Sequence, residues 1–325
     1  MNKEVVILFL LNMLSGVGYS IIAPLFPILG KDEKFSEELL GWMISFFPLS
    51  EFFFTPFVPK LTKKFDRINV LYFATFSEAS CSLLYGLIII IPSRSLMILI
   101  IFSLRIIHGC SSSIVATLVY SLAGSLSDEE DIQASLGYME VAWSLGMAIG
   151  PLIASIFYSF GGYSLPFIFS GCILYFSIYL TKKLGLEMNK ENEEEPEGEP
   201  SFVSILFHTQ VLICLGALVF EVIVSTFYYP SLSNHLINNY GLDVSFASIF
   251  FIICIVSYFI YLQFLDNITS KIGKYCHILL GLLICSIGVY CIYPVKPIPN
   301  NIISVIFGLS LEGPGAAAIG VLCLI

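Results

Sequence analysis

Seven ionisable side chains sit inside stretches that are otherwise oily. Glu51, Glu78, Glu140, Glu221 and Glu312 each interrupt a long apolar run, and Arg105 and His108 share another. An isolated carboxylate in such surroundings suits a group that takes up and releases protons or that meets a cationic ligand. An arginine near the middle of such a run costs about 2.5–3.5 kcal/mol on insertion scales, so one that is retained is expected to face protein or a watery cavity, with an acidic partner. Its alternative role is a structural pin between helices. His108 could titrate near neutral pH and join a proton path, or could be a satisfied buried imidazole. These five acids, set against Arg105 and His108, leave a local surplus of negative charge, which is the best clue to a ligand. That surplus points to a cation.

Spacing groups these residues further. At helical periodicity Arg105, His108 and Ser112 fall on one face. Glu221, Ser225 and Tyr228 fall on another, giving an anion, a hydroxyl and an aromatic ring that together could hold an ammonium group. Tyr229 and Tyr19 are further candidate aromatic walls. Glu312 lies in Leu311-Glu312-Gly313-Pro314-Gly315, a run expected to break its helix. Discontinuous helices near the middle of a membrane often mark transport sites, although the same run could be a loop.

The elements that must position these groups follow from composition. The chain is 57% hydrophobic and only 12% charged, with a mean hydropathy of +0.89, which places it in a bilayer. Ten apolar spans are expected near residues 5–29, 39–59, 69–92, 96–123, 133–160, 165–182, 205–230, 245–266, 275–294 and 300–325. They read as helices, being continuous runs without the alternation of barrel strands. The first span has no basic leader or cleavage site and should stay in place as an anchor. The nine cysteines show no metal-ligand or paired spacing and read as small apolar packing residues, so neither a metal nor a cofactor is called for.

Lysine and arginine set the expected orientation. The N-terminus and the loops after spans two, six and eight carry most of them, including Lys60, Lys63, Lys64, Arg67, Lys182, Lys183, Lys271 and Lys274, so the N-terminus is expected to be cytoplasmic. That orientation also puts the sequon Asn267-Ile268-Thr269 in the cytoplasm, away from glycosylation. Between spans six and seven the sequence EMNKENEEEPEGEP is too polar to bury apolar surface and reads as a disordered linker. The expected division is a six-helix half at 1–183, an acidic cytoplasmic linker at 184–203 and a second, four-helix half at 204–325.

One stretch is more specific than the rest, Gly137-YMEVAWSL-Gly146-MAI-Gly150-Pro151-LI-Ala154. Gly146, Gly150 and Ala154 recur at every fourth residue, so small side chains line one helix face and let another backbone come close in lipid. Pro151 removes a backbone donor and bends the helix. The segment resembles the fifth-helix signature of the major facilitator superfamily in the form carried by proton-coupled antiporters, with Ala154 in place of its last glycine. Arg105-Ile-Ile-His108-Gly109 is similar to the family's Arg-x-x-Gln-Gly, and Leu61 and Arg67 match its cytoplasmic-loop motif, with Lys63 where an acid is usual. Tyr19 to Ile28, Phe47 to Phe57, Leu136 to Phe167 and Phe220 to Gly241 are similar to vesicular amine transporters, particularly the polyamine branch.

The resemblance implies an all-α membrane protein of the major facilitator fold, with about ten helices arranged six plus four and the last two of the usual twelve absent. It implies alternating access in which protons are exchanged for an organic cation of the polyamine or monoamine class. Protonation of Glu140 or Glu221 would release the substrate, and the face of Gly137, Gly146, Gly150 and Pro151 would flex between halves. Glu51, Arg105 and Glu140 carry over by position, whereas Asn12 to Tyr19 holds no acid where the monoamine branch has an aspartate. The expected partners are the bilayer, a small cationic solute and protons. The chain is expected to act as a monomer in a vesicle, another endomembrane or the plasma membrane. The rival readings are a facilitator of another small solute and a receptor-like or scaffold descendant that no longer transports. No nucleophile and base set, phosphate loop or extended basic patch suggests an enzyme or a nucleic-acid binder.

Overall fold

A computed structural model describes residues 3–128, 132–188, 208–242, 244–293 and 301–324. The chain divides into two compact units, Met1–Glu191 and Asn192–Ile325. The first unit holds α1 (Lys3–Ser20), α2 (Ile22–Asp32), α3 (Glu37–Phe54), a short α4 (Val58–Lys64), α5 (Arg67–Leu87), α6 (Arg94–Ser125), α7 (Ile132–Gly161) and α8 (Ser164–Met188). The second holds α9 (Thr209–Tyr240), α10 (Val244–Ile272), α11 (Lys274–Ile292) and α12 (Ile302–Leu324). Among the described residues there is no strand.

Local chemistry sets the helix limits. Ser36 accepts a hydrogen bond from the Leu39 amide at 3.2 Å and starts α3, and Asp66 accepts from Asn69 at 2.9 Å and starts α5. Pro24 has no N–H to offer the carbonyl of Ser20, four residues back, and the chain breaks there into α1 and α2. Gly241 closes α9 in the left-handed region at φ 65°, with its amide on the Ile237 carbonyl.

Seven helices among the described residues are long and apolar enough to cross a membrane: Lys3–Asp32, Arg67–Ile90, Arg94–Ser125, Ser135–Gly161, Ser164–Gly185, Lys274–Ile292 and Ile302–Cys323. Thr209–Val224 and Ile249–Leu265 are shorter apolar stretches within α9 and α10. The expected second span is α3, which carries Glu37, Glu38 and Glu51 along its length. Large apolar side chains such as Phe52, Phe73 and Phe160 point outward, as lipid permits and water does not.

In the first unit α1 packs on α7 and α8, α5 on α8 and α6, and α3 on α6. The small-residue face of α7 meets α1. A methyl group at Gly146 would overlap the Met13 carbonyl, one at Gly150 would overlap Ser20 Oγ, and one at Gly16 of α1 would lie 2.8 Å from the Trp143 carbonyl. Ala154 is buried on the same helix. Hydrogen bonds also cross the seam, from Asn12 Nδ2 to the Met139 carbonyl at 2.7 Å and from Ser20 Oγ to the Gly146 carbonyl at 3.2 Å. Gly137 lies off this seam, with nothing near its missing side chain among the described residues.

The second unit corrects one expectation. The Gly313-Pro314-Gly315 run does not break its helix, because α12 continues from Ile302 to Leu324 with Pro314 inside it. The glycines instead permit packing. A methyl at Gly313 would overlap the Cys254 carbonyl of α10, and one at Gly315 would strike Cys285 of α11. The sequon at Asn267 lies within α10, where Thr269 Oγ1 donates to the Leu265 carbonyl at 2.8 Å. Residues 189–203 of the expected linker lie outside the described residues.

The α1–α7 seam is testable by overpacking. Gly146→Leu should lower stability by about 1–3 kcal/mol or prevent folding, whereas Gly137→Leu should change it little. Thermal unfolding of the two purified variants in one detergent checks this, and equal effects would refute the seam.

Candidate functional site

The polar residues of the first unit hang on the contact between α3 and α6. These helices run in the same direction, and three successive turns of one meet three of the other. Arg105 donates from Nε to the Met43 carbonyl at 3.0 Å and from Nη2 to the Ile44 carbonyl at 2.8 Å. One turn on, Gly109 leaves room for the Phe47 carbonyl, which a methyl group would overlap. A further turn on, Ser112 Oγ donates to Glu51 Oε1 at 3.2 Å.

The reason Arg105 reaches backbone lies in α3. Pro48 has no amide hydrogen, so the Ile44 carbonyl lacks its usual partner four residues later. The guanidinium supplies the missing donor. The expected acidic partner is therefore replaced by main-chain carbonyls. The guanidinium also stacks over Phe47, 4.8 Å from its ring centre, and lies 5.9 Å from that of Phe26.

His108 is buried beside this grip. Its ring lies 5.0 Å from Phe47 and 6.0 Å from Tyr85. Tyr19 of α1 packs against Phe47 at 4.9 Å and against Trp143 at 5.8 Å. Glu78 of α5 is 2% exposed and accepts a hydrogen bond from Ser15 of α1 at 2.8 Å. Glu51 and Glu78 are near enough to act on each other electrostatically. Glu140 of α7 accepts from the Tyr120 hydroxyl of α6 at 2.7 Å. Pro151, one residue after Gly150, lies within α7.

In the second unit Glu312 is fully buried, and neither of its carboxylate oxygens has a hydrogen-bond partner among the described residues. Gly288 of α11 makes room for it, since a methyl there would sit 3.1 Å from Glu312 Oε2. Glu221 of α9 acts on it through space. The side chains of Ser225, Tyr228 and Tyr229 lie outside the described residues. Thus Arg105, His108, Glu51 and Tyr19 come together around Phe47, Glu221 and Glu312 come near each other in the second unit, and Glu140 has its own partner.

A model of the major facilitator superfamily matches residues 8–324. The chain belongs to that superfamily. This facilitator chain is 25% identical to the mouse MFS-type transporter SLC18B1 over 248 residues, 74% of this chain and 51% of the mouse protein. It is 22% identical to Multidrug resistance protein 2 of Bacillus subtilis over 290 residues, 84% of this chain and 68% of that protein. The chain thus spans about half the length of the mouse relative. A solved structure of a mutant of the nucleoside transporter NupG overlays with a TM-score of 0.72 at 11% identity, covering 98% of this chain and 81% of that one, which shows a shared fold. The facilitator chain is a multi-pass integral membrane protein.

Several partners in this facilitator's cluster are not legible in the sequence, namely Ser15, Tyr85, Tyr120 and the carbonyl freed by Pro48. Asn12, Ser15 and Tyr19 recur at three- and four-residue steps through apolar α1, a polar stripe that could have marked Ser15. The proline of α3 and the arginine of α6 carry no joint signal, because one member of the pair is an absent hydrogen.

The grip predicts a coupling. Arg105→Gln should destabilise the protein by about 1–3 kcal/mol. In a Pro48→Ala background, where the restored backbone amide can serve Ile44, the loss should shrink by at least about 0.5 kcal/mol. A double-mutant cycle on unfolding midpoints measures this, and strict additivity would refute the assignment.

Proposed function

We propose that this chain is a secondary active transporter that exchanges protons for a small organic cation of the polyamine or monoamine class by alternating access. The supporting observation is that the deeply placed carboxylates meet hydroxyls and not cations, with Glu51 on Ser112, Glu78 on Ser15 and Glu140 on Tyr120. A carboxylate offers about four lone-pair sites, so one held by a single hydroxyl keeps several for a proton or an ammonium group. Arg105, the strongest local cation, commits two of its donors to backbone. The relatives' names, an MFS-type transporter and a multidrug resistance protein, agree with transport of organic solutes.

In this reading Glu140 and Glu221 are the coupling carboxylates. A proton taken up by either converts carboxylate to carboxylic acid and expels the cation, and its loss restores the anion. Glu51, Arg105, His108, Tyr228 and Glu312 complete the substrate and proton pathway, while Gly137, Gly146, Gly150 and Pro151 form the conformational motif. The functional halves are residues 1–183 and 204–325 with the acidic linker between them. The N-terminus is cytoplasmic, the membrane is vesicular, another endomembrane or the plasma membrane, and the working unit is a monomer.

Uptake of labelled spermidine and of a monoamine into proteoliposomes under an imposed pH gradient tests the reading. Gradient-dependent uptake is expected in the parent chain and its loss in Glu140→Gln and Glu221→Gln. Unchanged exchange in both variants would overturn the proton-coupling assignment. Absence of uptake by folded parent protein would favour a receptor-like descendant.

A further inference from the structure

Around the guanidinium of Arg105 the donors outnumber the acceptors. Nε and Nη2 are committed to the Met43 and Ile44 carbonyls, but Nη1 is buried without a hydrogen-bond partner among the described residues, as are Tyr85 Oη and His108 Nδ1. These atoms belong to one nest of rings. Phe26 lies 5.9 Å from both the Tyr85 ring and the guanidinium carbon, Phe47 lies 4.8 Å from that carbon and 5.0 Å from His108, and Tyr85 lies 6.0 Å from His108. Arg105 and His108 are each 1% exposed, as is Tyr85. The tyrosine hydroxyl also sits within electrostatic and hydrogen-bonding reach of the guanidinium, without the geometry of a formed bond.

Folded proteins satisfy the large majority of their buried polar atoms, so several orphans in one nest call for a missing partner. Its chemistry follows from the inventory. Nη1 offers two protons and Tyr85 one, against few lone pairs in the nest, those of the tyrosine oxygen and of one imidazole nitrogen. The site also carries one permanent positive charge, because a guanidinium stays protonated. Its grip on α3 uses neutral carbonyls and leaves that charge uncompensated at hydrogen-bond distance. Glu51 acts on it through space, but among the described residues the two form no ion pair, the carboxylate being turned to Ser112.

We propose that the Arg105 Nη1, Tyr85 Oη and His108 Nδ1 niche binds one small monovalent anion, a halide or a carboxylate of formate size. The site lies wholly within the first unit and does not depend on what the protein transports. Bound there, the anion neutralises the guanidinium and ties α5 to the α3–α6 pair.

The test is thermal unfolding of the purified full chain in detergent at constant ionic strength, with sodium gluconate replaced stepwise by sodium chloride or by sodium formate. A saturable rise in midpoint is expected with chloride, formate or both, and the responding salt tells a halide site from a carboxylate site. Losing one charge-assisted donor in Tyr85→Phe should weaken the apparent affinity about tenfold. His108→Asn provides a second reading if the first variant does not fold. Absence of saturation with either salt, or saturation of equal affinity in the variants, would overturn the proposal. So would a parent chain indifferent to both salts whose Glu51→Gln variant becomes dependent on them, because Glu51 would then be the counter-ion.

Discussion

A charged group that cannot lose its proton and a helix that has lost a backbone donor answer each other at the centre of the first unit. Pro48 leaves the Ile44 carbonyl open, and Arg105 closes it at 2.8 Å while holding Met43 as well. Unmet backbone groups and bare charges are both expensive in hydrocarbon, so each would be a defect alone. Together they fix the register of α3 on α6. From that register follow the approach of Gly109 to the Phe47 carbonyl, the meeting of Ser112 with Glu51, and the place of Phe47 between Tyr19, His108 and the guanidinium.

The same economy of small residues runs through both units. In the first, Gly16, Gly146 and Gly150 bring α1 and α7 to near backbone contact. In the second, Gly308 and Gly288 bring α12 to α11, and Gly313 and Gly315 serve α10 and α11 in turn. Without a hydrophobic drive between helices in lipid, such approach is what gives contact enough dispersion energy to hold. It also explains how Glu312 can be fully buried, since the missing side chain of Gly288 provides its space.

Sequence revealed the helical class and most helix positions because an apolar run of membrane length is hard to place anywhere but in a bilayer-spanning helix. The small-residue face of α7 was equally legible, since a period of four is visible in the letters. Its partner was not, because contact with α1 depends on how two distant segments meet. The helix through Gly313-Pro314-Gly315 ran against expectation because glycine and proline usually signal a break, whereas here neighbouring helices occupy the space that the glycines vacate. The letters mark Arg105 as costly and point to an acidic partner, because backbone carbonyls carry no letter of their own. The hydroxyls on Glu51, Glu78 and Glu140 were hidden for a similar reason, because Ser15, Ser112 and Tyr120 are common types that only long-range contact distinguishes.

The chain has two tryptophans, and their surroundings differ in a useful way. Trp42 is 55% exposed on α3, beside Phe46, whereas Trp143 lies in α7, its carbonyl against Gly16 and its ring beside Tyr19. The first indole therefore samples the surrounding lipid or detergent, and the second samples the α1–α7 joint. Replacing Trp42 with phenylalanine would leave a single indole fluorophore at that joint, so its emission wavelength and quenching would follow helix separation in real time without an added label.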